Sequence, residues 1–365
     1  MGLSFSAAIF TGGPIRLDIT CKSIESLNNQ TYDDVQKILV NGDGNSEKID
    51  ALKKFGADLS DWEIINFPID TYDRNDINSL HRWPGRAALK VSKGDFFFTM
   101  NDDDSVSTDF FYRMARLLQK HPEAVTGMGL PVSFIHETGE IIKRRPRHAD
   151  WRTRPEVEPG IDCFRKIYRE YGDPFYNPNP GFQFVCKTDY VRDVQETFFS
   201  DGAFPDVSFQ SVLIRGETVF DPEALMLWGR HEGQVHNDME QDHFFNGAYF
   251  HTYKLALKVN DAVFDRFLPN SGQDKKLFRT YYNSYLAETS IDFLLDFIGF
   301  GRFIRGQKNT TWKFKSVANG RKFPFGLHLR FLISHPIISS KLLFLKGKTA
   351  LMIIFAEPPI FQKWS

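Results

Sequence analysis

The stretch GDFFFTMNDDDSVSTDFF, residues 94–111, joins two chemically opposed pieces. Asp95 to Met100 has the aromatic and β-branched content of a buried strand. Asn101, Asp102, Asp103 and Asp104 follow without a spacer, so the strand ends in three adjacent carboxylates. Adjacent carboxylates repel one another, and proximity to an apolar core raises the cost of ionising each of them.

Working outward, the same alternation recurs. SFSAAIF (4–10) reads as a short buried strand closed by Thr11-Gly12-Gly13-Pro14. Ile15, Ile19, Ile24 and Leu27 have the spacing of one helical face over 15–29. VQKILVNGDG reads as a second strand ending in a turn, and SEKIDALKKFG as a helix with Gly56 as its C-cap. WEIINFP is a third strand, PGRAALKVSKG a short helix opening at Pro84, and STDFFYRMARLLQKHP a helix for which Ser107 or Thr108 is the expected cap. Asp109 then complements the helix N-terminus. Strand and helix alternating over about the first 120 residues is the signature of a parallel α/β sheet. Ligands of such sheets bind outside the carboxyl ends of the strands. That rule puts Thr11, Asp43 and Asp102–Asp104 on one edge. Beyond it, residues 140–180 are rich in Pro and Arg and read as long loops, 181–230 return to strand and helix, and the chain from about 240 is mostly helical.

Composition narrows the class. Hydrophobic residues at 42% and charged residues at 25% of 365 suit a globular protein with a sizeable core. Cys21, Cys163 and Cys186 are odd in number and lack metal spacing, which argues against a disulfide framework and for a reducing compartment. The N-terminus has no basic region before its short apolar run, so it reads as a strand and not as a signal peptide. No apolar run is long enough to span a bilayer. The first turn lacks G-x-G-x-x-G, which disfavours a dinucleotide oxidoreductase.

The carboxylates themselves suggest a hard divalent cation. Mg²⁺ or Mn²⁺ takes oxygen ligands, retains waters and shares phosphate oxygens with a substrate. The plainer alternative is that Asp102 or Asp104 only caps the next helix.

Two segments carry a resemblance. SAAIFTGGPIRLDITCKSIESLNNQTYDDVQKILVNGDGNSEK, with its Q-T-Y phrase and a second strand ending in Asp-Gly, resembles the opening of the family 2 glycosyltransferases. GRAALKVSKGDFFFTMNDDDSVSTDFFYRM resembles the segment of that family bearing its Asp-x-Asp motif. The resemblance implies a GT-A domain, Rossmann-like and of the nucleotide-diphospho-sugar transferase kind, over residues 1–238, with a mostly helical region over 239–365. It implies that Thr11 and Asp43 contact the nucleotide base and that Arg86 meets the base or phosphates. Asp103 or Asp104 reaches the metal, and Asp102 touches the ribose or the metal. The register stays open: Asn101 with Asp103 fits without gaps, while Asp102 with Asp104 reads the motif literally. The family usually has two acids before the glycine of the second strand. Here Gly42 and Asp43 stand there, so Asp43 alone can serve.

In DGAFPDVSFQSVLIRGETVF, Asp206 heads a helix where the family carries its general base. In LWGRHEGQVHND, His231 is the candidate metal or pyrophosphate contact, with Arg230 and His236 behind it. Each has a plainer alternative: a turn residue at Asp43, a solvated helix-start cation at Arg86, an N-cap at Asp206, a surface histidine at His231. The resulting expectation is a metal-dependent inverting glycosyltransferase using a UDP- or GDP-type donor and a saccharide or lipid-linked acceptor, in cell-surface polysaccharide or glycolipid synthesis. A nucleotidyltransferase of similar fold and a non-catalytic sugar-nucleotide or partner-binding protein are the competing readings.

Charge is distributed unevenly. From Phe297 to Ala356 there are eleven Lys and Arg and no Asp or Glu, mixed with Phe, Leu, Ile and Trp. Anionic lipid attracts such a segment, so the expectation is a cytoplasmic protein peripheral at the inner face of the membrane. Packing on the acidic body or on a second subunit is the alternative for this stretch. No recognised nucleic-acid module is present.

Overall fold

The computed structural model describes residues 2–11, 16–42, 44–66, 84–142, 155–170, 184–198, 211–230, 261–280, 283 and 332–333. Strands β1 (Phe5–Thr11), β2 (Val35–Asn41), β3 (Trp62–Asn66) and β4 (Phe96–Asn101) form the parallel half of one sheet, joined through helices α1 (Leu17–Asn28), α2 (Ser46–Phe55) and α3 (Pro84–Val91). Their order is β3-β2-β1-β4, so the chain reverses its direction of winding between β1 and β4. Gly56 ends α2 with φ of 113°, the left-handed conformation that glycine adopts without penalty.

Past β4 the sheet stops being parallel. The two-residue strand β5 (Ser105–Val106) precedes helix α4 (Phe110–Lys120), and β6 (Ala124–Ile135) turns back into β7 (Ile141–Ile142). Strand β9 (Phe184–Lys187) lies antiparallel between β4 and β6, and β10 (Glu217–Arg230) runs parallel to β6 over nearly its whole length. Helix α6 (Thr188–Phe198) follows β9 directly. Within 140–180, which composition suggests is loop, the described residues 155–170 contain regular elements. Strand β8 (Val157–Pro159) pairs with β10, and helix α5 (Gly160–Glu170) buries Cys163 and Phe164 completely. The surrounding Pro and Arg mask that short apolar face in the sequence.

Side-chain alternation explains why the strands read as unbroken apolar runs: both faces of the sheet are covered. Phe96, Phe98 and Met100 face one side with Phe5, Ile9, Phe110 and Phe111, while Phe97 faces the other with Ala8, Val40 and Phe164. Phe98 stacks edge-on to Phe111 at 5.6 Å and tilts against Phe110 at 5.3 Å, which fixes α4 beneath the end of β4. The second cluster also takes in Val263, Phe264 and Phe278, so helical residues 261–280 share the core of the sheet. Arg165 on α5 holds Asp274 through two hydrogen bonds of 2.8 and 3.0 Å. Among the described residues no helix is long and apolar enough to cross a membrane.

The expected cap of α4 takes a different role. Ser107 accepts the amide of Leu225 on its Oγ at 3.1 Å and donates its own amide to the Leu225 carbonyl at 3.0 Å. Pairing of β5 with β10 draws the serine to the sheet, and Asp109 binds Arg113 one turn further along α4.

Gly94 shows how tightly β4 joins β1. A Cβ there would lie 2.4 Å from the Phe5 carbonyl carbon and 2.6 Å from the Ser6 nitrogen, both main-chain atoms with no freedom to move aside. Gly94→Ala is therefore expected to destabilise the fold by about 1–3 kcal/mol, read as a lower urea midpoint at unchanged m-value.

Candidate active site

The carboxyl ends of the parallel strands meet in register. Phe10 pairs with Asn101, Thr11 with Asn41, and Asn41 with Asn66. This edge therefore presents a threonine and three asparagines, immediately followed by the acid loop. Thr11 is buried, with its hydroxyl 3.4 Å from the Val40 carbonyl. Asn41 donates to the Asn45 carbonyl at 2.8 Å and to Asn66 Oδ1 at 3.1 Å, which leaves its own fully buried Oδ1 without a hydrogen bond.

Each of the three acids is fastened by a different part of the fold. Ser23 Oγ of α1 donates to the Asp102 carbonyl at 2.9 Å. His136, just after β6, has Nε2 2.7 Å from the Asp103 carbonyl. Asp104 accepts the Gly229 amide of β10 on Oδ1 at 3.2 Å and the Asn101 side chain on Oδ2 at 3.3 Å. Asp104 is buried, while Asp102 and Asp103 are half-buried.

This placement makes Asp102 and Asp104 hold their protons more tightly. Burial, then the charge of Asp103, pushes Asp102 up to about 7, against smaller opposing effects from its own backbone amide and Lys48 of α2. The same two causes drive Asp104 well above the usual carboxylate range, offset in part by the Gly229 and Asn101 donors. Carboxylates that resist ionisation beside a third carboxylate suit a divalent cation, which removes the repulsion. Hard oxygen donors fit Mg²⁺ or Mn²⁺ in type. Among the described residues no three His, Cys, Asp or Glu side chains form a ready-made ligand shell.

Of the residues singled out in the sequence, Thr11, Asp102, Asp103 and Asp104 come together at this edge. Arg86 sits in the first turn of α3, and its guanidinium donates to the Gln195 carbonyl of α6 at 3.1 Å. Asp43, Asp206, His231 and His236 lie outside the described residues, as does the side chain of Arg230. Ser23, Lys48, His136 and Gly229 were not legible as parts of the site. Their contacts with the acid loop span tens of residues, so that, although Ser23, Lys48 and Gly229 stand within the quoted stretches, nothing along the chain links them to the loop.

Residues 16–176 match the family model described as Glycosyl transferase family 2. That stretch, which contains the acid loop, is similar to the family 2 glycosyltransferases, and the sheet around it is mixed, with parallel and antiparallel strands. An uncharacterized glycosyltransferase of Haemophilus influenzae is 25% identical over 217 residues, covering 59% of this chain and 62% of the relative. The match thus spans less than two thirds of that relative's length. Among solved structures, S. aureus TarS 1–349 in complex with UDP aligns at 11% identity with a TM-score of 0.48, covering 84% of this chain and 76% of that one. The same TarS fragment in complex with UDP-GlcNAc aligns at 9% identity with a TM-score of 0.46, covering 79% and 83%.

Asp102 gives a pH test with a definite sign. Its folded value of about 7 lies above the ordinary 3.8, so the folded chain binds this proton more tightly than the unfolded one. Its favourable contribution is complete below 3.8 and is lost as pH rises through about 7. With divalent cations chelated, Asp102→Asn should therefore gain stability relative to the native chain between those two pH values in denaturant titrations. Parallel pH profiles for the two proteins would show that Asp102 ionises freely.

Proposed function

We propose that the chain is a metal-dependent, inverting glycosyltransferase that moves a sugar from a nucleoside-diphosphate sugar to a hydroxyl acceptor. The observation that carries this reading is the position of the acid loop. Within the segment that matches family 2, it lies at the carboxyl edge where winding reverses between β1 and β4, the usual ligand crevice of such sheets. The unmatched acceptor on Asn41 at the same edge supports a polar ligand there.

In this reading Thr11 and Asp43 bind the base, and Arg86 meets the base or the phosphates. Asp104 is already engaged by Gly229 and Asn101. It shapes the loop, leaving Asp102 and Asp103 as the better-disposed oxygen donors, with His231 joining them. When bound, Mn²⁺ or Mg²⁺ supplies the positive charge that stabilises a departing nucleoside diphosphate. Asp206 accepts the proton of the acceptor hydroxyl while that oxygen bonds to the anomeric carbon. The bond from that carbon to the diphosphate oxygen breaks, and the configuration inverts. We assign residues 1–238 to this chemistry and 239–365 to a helical region. In that region the basic, apolar stretch 297–356 touches an anionic membrane surface bearing a lipid-linked acceptor.

Thermal melts against UDP, GDP, CMP and dTDP, each with Mn²⁺ or with EDTA, test the donor half. One nucleoside diphosphate at about a hundred times its dissociation constant should add about 2.7 kcal/mol and raise Tm by several degrees only with metal. A flat response to every nucleotide with Mn²⁺ would end this reading. Asp206→Asn tests the acceptor half: nucleotide stabilisation should persist while transfer falls by about 10²–10⁴-fold.

A further inference from the structure

The bond between His136 and the acid loop has features beyond packing. A carbonyl oxygen only accepts, so Nε2 of His136 must carry the hydrogen it gives to Asp103. At 2.7 Å the bond is at the short end of the N–H···O range, and His136 is only 6% exposed, so water does not compete for it. The ring lies 4.5 Å from that of Phe134, tilted by 60°, which fixes its plane. The turn carrying it is tied to α1, because Lys22 donates to the His136 carbonyl at 3.4 Å and Arg16 pairs with Glu137 at 3.5 Å. That is the same helix whose Ser23 holds the Asp102 carbonyl.

Strand β10 then lies directly over this contact. A Cβ on Gly229 would stand 1.8 Å from the Asp103 oxygen and 2.2 Å from His136 Nε2, so no side chain fits at that position. The Gly229 amide meanwhile holds Asp104. The Asp103–Asp104 peptide is consequently gripped from both sides, by the imidazole at the carbonyl and by β10 at the next carboxylate.

We propose that His136 is a positioning residue for the acid loop: its Nε2–H fixes the Asp103 carbonyl and thereby sets how well Asp102 and Asp103 receive a divalent cation. The cation half of this inference rests on the function proposed above, while the loop half does not. His136 itself is no ligand in this scheme. It acts through the main chain, and metal sites tolerate only small errors in the placement of their ligands. A role in filling space alone would depend on side-chain volume. A positioning role depends on an N–H donor, and the two are separable by substitution.

The test uses the full chain with His136→Leu, which keeps bulk without a donor, His136→Gln, which keeps a donor, and Gly229→Ala, which intrudes on the contact. In metal-free protein, hydrogen exchange at the amides of Asp104 and Gly229 should quicken about tenfold in the leucine and alanine variants and stay within about threefold of native in the glutamine variant. Free Mn²⁺, followed by its electron paramagnetic resonance during titration with and without UDP, should show about tenfold weaker binding in the leucine variant, restored by glutamine. Native-like exchange and Mn²⁺ binding in His136→Leu would overturn the proposal, as would equal losses in the leucine and glutamine variants. If the native chain takes up no Mn²⁺ while exchange still quickens only where the donor is lost, the loop half holds and the cation half falls together with the proposed function. If Mn²⁺ binds all variants alike, the function stands and the positioning role falls.

Discussion

Three carboxylates at the end of a dry strand are stable as a set only if they cannot escape to solvent or collapse into the core, and main-chain contacts enforce both conditions here. The carbonyls of Asp102 and Asp103 are held by Ser23 and His136, and the Asp104 side chain is held by the Gly229 amide. A freely moving loop would relieve its charge repulsion by turning outward into water, and its carboxylates would then titrate as ordinary ones. Because the loop is fastened, burial and, after it, repulsion from Asp103 persist as raised proton affinity at Asp102 and Asp104. In the proposed function, the same constraint that disfavours the ionised cluster would prepare it for a cation, since the loop need not reorganise to present its oxygens.

The rest of the sheet can be understood as the means of holding that loop. The parallel half delivers Asn101 to the edge, and the Phe98 contacts with Phe110 and Phe111 anchor the helix that follows. Strand β10 must then cross to the loop from the far side. It does so with an irregularity between Asp221 and Leu225, where its register against β6 shifts. Ser107 clasps Leu225 just beyond that shift, and Arg113 ties Asp221 and Glu223 to α4. The bulge re-aims the strand, so that Gly229 arrives over the Asp103 carbonyl. On the opposite face, Arg215 lies between the rings of Tyr190 and Phe267 at 3.8 and 4.3 Å. That stack joins the approach to β10 with α6 and with the helical residues 261–280.

Local pattern made the first half of this structure legible. Short apolar runs and helical spacing locate β1 to β4 and their helices, Gly56 ends α2 as its residue type requires, and the acid run sits at the edge where strand ends must fall. What stayed hidden depends on distant partners. Ser107 looks like a cap until β10 claims it. Val157–Pro159 and the apolar face of α5 are obscured by neighbouring Pro and Arg, and their burial comes from β10 and the core. His136 carries no motif, and its partner is 33 residues away. Gly229 is a glycine because two atoms of other elements occupy the space of its Cβ, which no reading along the chain can show.

That dependence bears on what the family match describes. The matched segment, residues 16–176, holds the acid loop, Ser23 and His136, but starts inside the fold and ends before it is complete. Strand β1, the centre of the parallel half, precedes it; β9, which separates β4 from β6, and β10, which carries Gly229, follow it. Without β9 the β4 and β6 edges would lie open, and without β10 Asp104 would lose its main-chain donor and turn toward water. The segment therefore contributes the acid loop, while the geometry of that loop is set in part by strands on either side. A pattern of acids can persist in a sequence without the electrostatics seen here. Burial is the largest cause of those electrostatics, and Gly229 packs directly against Asp103 and His136, so the seating of β10 couples the integrity of the sheet to the behaviour of the acid loop.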